Sequence, residues 1–374
     1  MENERKTVAV ICEYNPFHYG HRYQISHLKE KYARVVCIMS GAFVQRGEVA
    51  VEDKYRRAAA AIAGGADLVV ELPFPYCVSS GGDFAAAGVR IAATLGVDAL
   101  SFGCESPDAT LEQIAELTAL PKFEEELAAL IKAQPNLSYP RGRSMLIEKH
   151  LGAEAAKAVT TPNNILAVEY MRSCIKEGAA LELYPMQRQA GYKSAGEIRA
   201  AADMKSELPF PEFFGEARSI KHREREIISL LRRGDFKGLY CIDETLAATL
   251  RVSAKKATSL EDLIAEATSK TYTAARVRRA VIAAWLGIES TAVKAPPAYT
   301  CLLAANKAGT EFLKDNKKRI LLPIVTKPAN YTKLPEPARA AFERTVTAEE
   351  QAALCTPRIE SYVSPLSSTP YIKV

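Results

Sequence analysis

Four short runs of apolar and β-branched residues, Val8 to Cys12, Arg34 to Met39, Leu68 to Leu72 and Ala99 to Phe102, punctuate the first hundred residues, and patterns of helical period fill the intervals near 20–31, 54–64 and 83–95. Strands separated by a helix-length of chain cannot close as hairpins. They are joined by right-handed crossovers, which gives a parallel sheet covered on both faces. The fold class read from this pattern is α/β, with a Rossmann-like parallel sheet. Ligands of such sheets bind beyond the carboxyl ends of the strands. His18, His21, the pair Ser40-Gly41 and Gly103 all fall there.

The first strand, with Val8, Ala9, Val10, Ile11 and Cys12, delivers the chain into Glu13, Tyr14, Asn15, Pro16, Phe17, His18, Tyr19, Gly20 and His21. A proline-punctuated turn followed by a helix start at Gly20 places backbone N–H groups and two imidazoles around one point, which is where an anion binds. An imidazole donates to a charged oxygen, and its cationic form offsets charge that develops in phosphoryl or adenylyl transfer. The H-x-G-H spacing is short, and two histidines at a helix start also read simply as a cap. Its place between an apolar strand and an amphipathic helix favours the anion site.

Helical patterns continue over roughly 110–133 and 141–152, and another helix begins at Pro162, with Asn163 or Asn164 as the expected N-cap. Leu181 to Met186 reads as a further strand, ending at Arg188. The helix after Ser194 carries Arg199. A serine hydroxyl, free N–H groups and an arginine are donors that hold a triphosphate from a second side. Ser194 with Glu197 also reads as a capping box. Gly103 is either a turn glycine or a point where a base or ribose approaches the backbone. Gln45 and Arg46, between Gly41 and Gly47, read as a loop that contacts substrate or RNA.

The chain has 374 residues, 48% of them hydrophobic, enough for a full core and two domains. The first residues form no apolar signal region and no run reaches membrane-spanning length, so a cytoplasmic location is expected, with no membrane partner. The eight cysteines show no C-x-x-C pair and read as reduced core thiols, and no residue set reads as a metal site. Residues 1–200 carry 22 basic and 24 acidic side chains, while residues 201–374 carry 27 and 20. A near-neutral module beside a basic one points to a polyanionic partner. No G-x-x-x-x-G-K-[ST] loop exists, and Arg188-x-x-Gly191-x-Lys193 breaks the glycine-rich turn that binds coenzyme A.

Four stretches together are more specific. Glu13-Tyr14-Asn15-Pro16-Phe17-His18-x-Gly20-His21, Met39-Ser40-Gly41-x-Phe43-Val44-Gln45-Arg46-Gly47, Asp67-Leu68-Val69-x-Glu71-Leu72-Pro73 and Pro162-Asn163-Asn164-Ile165-Leu166-x-x-Glu169-Tyr170 resemble the bacterial tRNA(Met) cytidine acetate ligases, nucleotidyltransferases of the H-x-G-H signature. The resemblance weakens after residue 200. Gly196 stands where the superfamily's S-x-T-x-x-R element has threonine, which removes one hydroxyl donor.

The resemblance implies a division into a Rossmann-like ATP and acetate domain, 1–200, and a mostly helical, basic, tRNA-binding domain, 201–374. It implies ATP as co-substrate with Mg²⁺, acetate as acid, elongator tRNA(Met) as partner and no coenzyme A. Acetate would be activated as acetyl-adenylate and passed to the wobble cytidine, giving acetylcytidine. It also implies His18 and His21 as catalytic residues, and ATP contacts from Val8 to His21, Gly103, Asn163 and Arg188, with Ser194 and Arg199 as the further donors read above. On the RNA side stand Gln45, Arg46, Lys270, Arg276, Arg278 and Arg279, the arginines also reading as the polar face of an amphipathic helix. Two rivals stay open: a nucleotidyltransferase acting on another small acid, and a non-catalytic RNA-binding protein with a vestigial nucleotide site.

Overall fold

The computed structural model describes residues 6–134, 136–189, 191–358 and 363–373. Its first part alternates strand and helix: β1 (Thr7–Cys12), α1 (Tyr19–Lys29), β2 (Arg34–Ser40), the hairpin β3 (Phe43–Val44) and β4 (Glu48–Val49), α2 (Lys54–Ala63), β5 (Leu68–Leu72), α3 (Gly81–Leu95) and β6 (Ala99–Cys104). Five helices follow, α4 (Ala109–Ala119), α5 (Pro121–Ala133), α6 (Tyr139–Leu151), α7 (Ala153–Ala158) and α8 (Pro162–Glu177), then β7 (Glu182–Gln187) and the short α9 (Ala195–Arg199). The 110–133 pattern is two helices, because Pro121 cannot continue the first and starts the second at N1.

β5, β2, β1, β6 and β7 lie side by side in that order, all parallel. The order reverses between β1 and β6, the switch point at which such sheets bind ligands. Apolar runs of β-branched residues fit central strands buried on both faces: Val8 and Ala9 are fully buried, as are Val35 to Met39 and Leu68 to Val70.

The second part is α10 (Glu224–Arg233), α11 (Glu244–Lys256), α12 (Leu260–Ala267), α13 (Ala274–Leu286) and α14 (Ser290–Lys294), whose Ile227, Leu231, Leu250, Leu263, Val277 and Val281 form a bundle core. The chain then returns to the sheet. β8 (Thr300–Ala305) runs antiparallel to β5, α15 (Lys307–Asn316) packs beside it, and β9 (Ile324–Val325), α16 (Ala338–Ala353) and β10 (Tyr371–Ile372) complete that edge. Residues 201–374 are thus mostly helical but also supply strands to the sheet formed by residues 1–200.

The cations at the start of α2 find buried partners. Lys54 Nζ bridges Glu71 (2.9 Å) on β5 and Glu349 (3.0 Å) on α16. Burial opposes its charge, but the two carboxylates outweigh that and hold its pKa well above the ordinary value. Arg57 spends its guanidinium on the carbonyls of Glu13 (2.6 Å), Ser40 (3.1 Å), Gly41 and Glu52 (3.0 Å). It clamps together the ends of β1 and β2, where the loops that follow must be held still.

Candidate active site

A cleft of about 410 Å³ opens at the switch point, against the ends of β1, β6 and β7. Glu13, Asn15, His18, Gly20, His21, Arg46, Gly103, Asn163, Arg188, Ser194 and Arg199 line it, eleven residues predicted from sequence and drawn from segments nearly two hundred positions apart.

His18 is the N-cap of α1 in extended conformation. Its Nδ1 accepts the Gly20 N–H at 3.1 Å, and His21 Nδ1 accepts the His18 N–H at 3.3 Å. The two rings stack with centroids 3.6 Å apart. Because each Nδ1 accepts, each neutral ring carries its hydrogen on Nε2. Burial first, then the Arg188 charge, lowers the His18 pKa to about 4, while burial and the neighbouring His18 hold His21 well below its ordinary value. The site therefore presents neutral Nε2–H donors at physiological pH. The Gly20 amide, expected to face an anion, is consumed by the cap. A Cβ at Gly20 would stand 3.0 Å from His18 Cε1, so a side chain there would press on that ring. The segment before it is held from outside: Asn15 Oδ1 accepts the Val51 N–H at 2.7 Å and Arg199 donates to the Asn15 carbonyl at 2.6 Å.

The remaining predicted residues divide by environment. Val8, Ala9, Val10 and Ile11 place their side chains in the core, and Tyr14 is buried with its ring 4.7 Å from that of His21. Cys12 donates to the Ile38 carbonyl, Pro16 and Phe17 border a separate small cavity, and Tyr19 is half exposed. These residues hold the turn, or lie outside the cleft lining. Opposite it, Gly103 is exposed and a Cβ there would meet nothing within 4 Å, so the end of β6 is an open face for a flat group. Asn163 and Asn164 are not caps: Thr161 precedes the helix, and both asparagines lie in its first turn, where Pro162 fills N1. Asn163 donates to Glu105 at 2.7 Å from the cleft wall, while buried Asn164 accepts the Glu105 N–H at 2.8 Å. Among the described residues Arg188 makes no direct ion pair; its charge is felt by His18 and by Glu197, and it lines the cleft where a ligand would meet it.

Ser194 caps α9 in a capping box, accepting the Glu197 N–H at 3.3 Å and donating to Glu197 Oε2 at 2.6 Å. Its hydroxyl is occupied. Gly196, read as lacking the hydroxyl of the S-x-T-x-x-R element, also lines the cleft, and the sequence reading missed Tyr23, Gln24, Val44, Glu48, Met186, Gln187, Gln189, Tyr192, Lys193 and Ala195 there. Only the adjacency of Gln187, Gln189 and Lys193 to Arg188 and Ser194 marked them in the sequence.

The hairpin β3–β4 joins the cleft to the bundle. Gly47, at φ 77°, turns it, and a Cβ there would lie 2.6 Å from the Arg279 backbone nitrogen on α13. Arg279 donates to the Gln45 carbonyl at 3.3 Å. Gln45, Arg46, Arg278 and Arg279 thus gather at one junction. Arg276 is elsewhere engaged, on Asp243 (2.8 Å) and over the Tyr272 ring, and exposed Lys270 precedes α13. Among the described residues no cluster of His, Cys, Asp and Glu could hold a metal ion, and no helix is long and apolar enough to cross a membrane. All eight cysteines are free thiols.

Comparison with known proteins assigns this geometry to a family. The HIGH Nucleotidyl Transferase model matches residues 5–363. The tRNA(Met) cytidine acetate ligase of Streptococcus mutans is 33% identical over 340 residues, covering 86% of this chain and 90% of that protein. The protein of the same description from a Thermoanaerobacter species is 30% identical over 357 residues, covering 87% and 89%. The crystal structure of Thermotoga maritima TmcAL bound with alpha-thio ATP superposes with a TM-score of 0.88 at 26% identity, covering 98% of this chain and 99% of that one.

Proposed function

The chain belongs to the HIGH nucleotidyl transferases and, among them, to the tRNA(Met) cytidine acetate ligase family; on that premise we propose that it activates acetate with ATP and acetylates the wobble cytidine of elongator tRNA(Met). An acetate oxygen attacks the α-phosphorus, pyrophosphate leaves, and acetyl-adenylate remains in the cleft. The exocyclic N4 of the cytidine then attacks the acetyl carbon and AMP departs. The observation that carries this reading is the His18–His21 cap, set at the switch point with both Nδ1 atoms spent and both Nε2–H groups left for phosphate oxygens.

Each residue has a derived task. His18 and His21 donate to oxygens whose charge grows as the α–β bond breaks. Neutral donors already held in place by the cap need little reorganisation, and one such donor is worth about 10²- to 10³-fold in rate. Arg188 adds a full charge beside them. The open face at Gly103 accommodates the base or ribose, and Asn163 and Arg199 hold the walls. Mg²⁺ supplies charge neutralisation when it arrives with ATP. Among the described residues no carboxylate cluster would cage it, and phosphate oxygens and water would serve as its ligands. Arg46, Arg278 and Arg279 offer phosphate contacts to RNA along the junction between cleft and bundle, exposed Lys270 offers another ahead of α13, and residues 201–374 serve as its main docking module.

The test is pyrophosphate release from ATP and Mg²⁺, scanned over small carboxylates with and without an elongator tRNA(Met) transcript. Release that requires acetate, with label recovered on the RNA, is expected. Release driven by another acid would retain the adenylation site and replace the substrate.

A further inference from the structure

The two histidines leave a chemical gap. With Nδ1 committed inside the cap, each ring offers a ligand an N–H and no lone pair. Acetyl transfer to an amine nonetheless releases a proton: the N4–C bond forms, the bond from the acyl carbon to the AMP oxygen breaks, AMP leaves with that electron pair, and N4 sheds a hydrogen ion. Arg46, Arg188, Lys193 and Arg199 enter the cleft as cations. The carboxylates that line it are Glu13 and Glu48, and Glu48 lies 3.8 Å from the Arg199 guanidinium.

Glu13 is the first residue beyond β1. Its carbonyl is fixed by Arg57 at 2.6 Å and its Oε1 accepts the Gln45 N–H at 2.7 Å, while no described group engages Oε2. A carboxylate oriented at both ends, with one oxygen unspent, is built to accept something. Gln45 is also the residue whose carbonyl takes Arg279 from the basic helix, so this carboxylate is held by the residue that joins the cleft to α13. We propose that Glu13 is the general base of acetyl transfer, its Oε2 taking the proton from N4 as the amine attacks the acetyl-adenylate. This assignment rests on the adenylate-and-transfer reading given above.

The charges facing Glu13 are Arg46 and Glu48 from the hairpin and Arg199 from α9, with Tyr170 of α8 nearby and Arg57 of α2 on its backbone. Burial raises its pKa, and the Gln45 N–H and the two arginines only partly offset that. As pH falls through this raised value the base is protonated and transfer slows; above it the rate is flat.

The experiment is single-turnover transfer from chemically prepared acetyl-adenylate to an elongator tRNA(Met) transcript, followed across pH for wild type, Glu13→Gln and Glu13→Asp, beside acetate-dependent pyrophosphate release by the same proteins. Glutamine keeps an acceptor for the Gln45 N–H. Loss of a general base slows its step by about 10²-fold or more. E13Q is expected to lose that much in transfer and to lose the acid limb, with a much smaller fall in pyrophosphate release. E13D keeps the limb at a reduced rate. Equal slowing of both steps, in E13Q or, where E13Q does not fold, in E13D, would overturn the assignment, as would an acid limb that survives E13Q. A wild type that releases no pyrophosphate with acetate removes the adenylation reading and this assignment with it.

Discussion

Two helices begin at the cleft with the same capping geometry and different chemistry. At α1 the reciprocal pair is His18 and His21, and at α9 it is Ser194 and Glu197. In both, the third helical residue's side chain accepts the cap's backbone N–H, and the cap's side chain accepts an N–H of the first turn, that of Gly20 at α1 and that of Glu197 at α9. The imidazoles do so through Nδ1 and keep a second nitrogen for a ligand, whereas Ser194 spends its hydroxyl and Glu197 brings a negative charge to the spot. The α1 pair is also largely buried, which keeps both rings neutral, while the α9 pair is exposed. One geometry thus leaves ring nitrogens for a ligand in one place and only starts a helix in the other. What decides is the atom left over after the cap is made.

Substitutions separate the two. His21→Ala and His18→Ala are expected to cost about 10²- to 10³-fold in acetate-dependent pyrophosphate release, the value of a preset donor, with thermal melting changed much less. A fall no greater than that of Ser194→Ala would make the α1 pair a cap and nothing more. Gly20→Ala leaves both imidazoles in place but drives a methyl against the His18 ring, so the rate should drop at least tenfold, a value on the order of a lost aligned hydrogen bond. Arg188→Ala removes an exposed charge. Its effect should be about tenfold and fall mainly on KM for ATP, and the His18 titration, followed by NMR, should move up from about 4.

The pH dependence of stability gives a smaller but distinct signal. The His18 pKa is lower folded than unfolded, so between 6.5 and about 4 the unfolded chain binds a proton that the folded one does not, and stability falls as pH falls through that window. His18→Asn should flatten that part of the curve. Ser194→Ala should cost about 1 kcal/mol of local helix stability, and change pyrophosphate release least of all.

The α1 site was legible because its geometry is local: nine successive residues contain the strand exit, the turn, the cap and both rings. The central parallel strands were legible for a related reason, since each announces itself by an apolar run of its own. What was not legible depends on partners far along the chain. Thr300 to Ala305 is a short apolar run whose meaning comes from pairing with β5, more than two hundred residues earlier. Tyr23 and Tyr192 become cleft walls because their rings meet across the fold, 5.7 Å apart. Cations at the start of α2, Lys54 and Arg57, oppose the helix dipole and need local partners. That Lys54 answers to buried Glu71 and Glu349, and Arg57 to four carbonyls, required the packed core. The protonation state of the histidines was likewise a matter of burial, which selects neutral donors from the two forms the sequence left open.

Tracing oxygen tests the central claim. Acetate labelled with ¹⁸O in its carboxylate, supplied with ATP, Mg²⁺ and elongator tRNA(Met), should deliver one labelled oxygen to the phosphate of AMP, with none in pyrophosphate, because the carboxylate attacks the α-phosphorus and the later cleavage lies on the acyl side. AMP that carries no label, or a reaction that yields ADP and labelled phosphate, would show that acetate is not activated as its adenylate in this cleft.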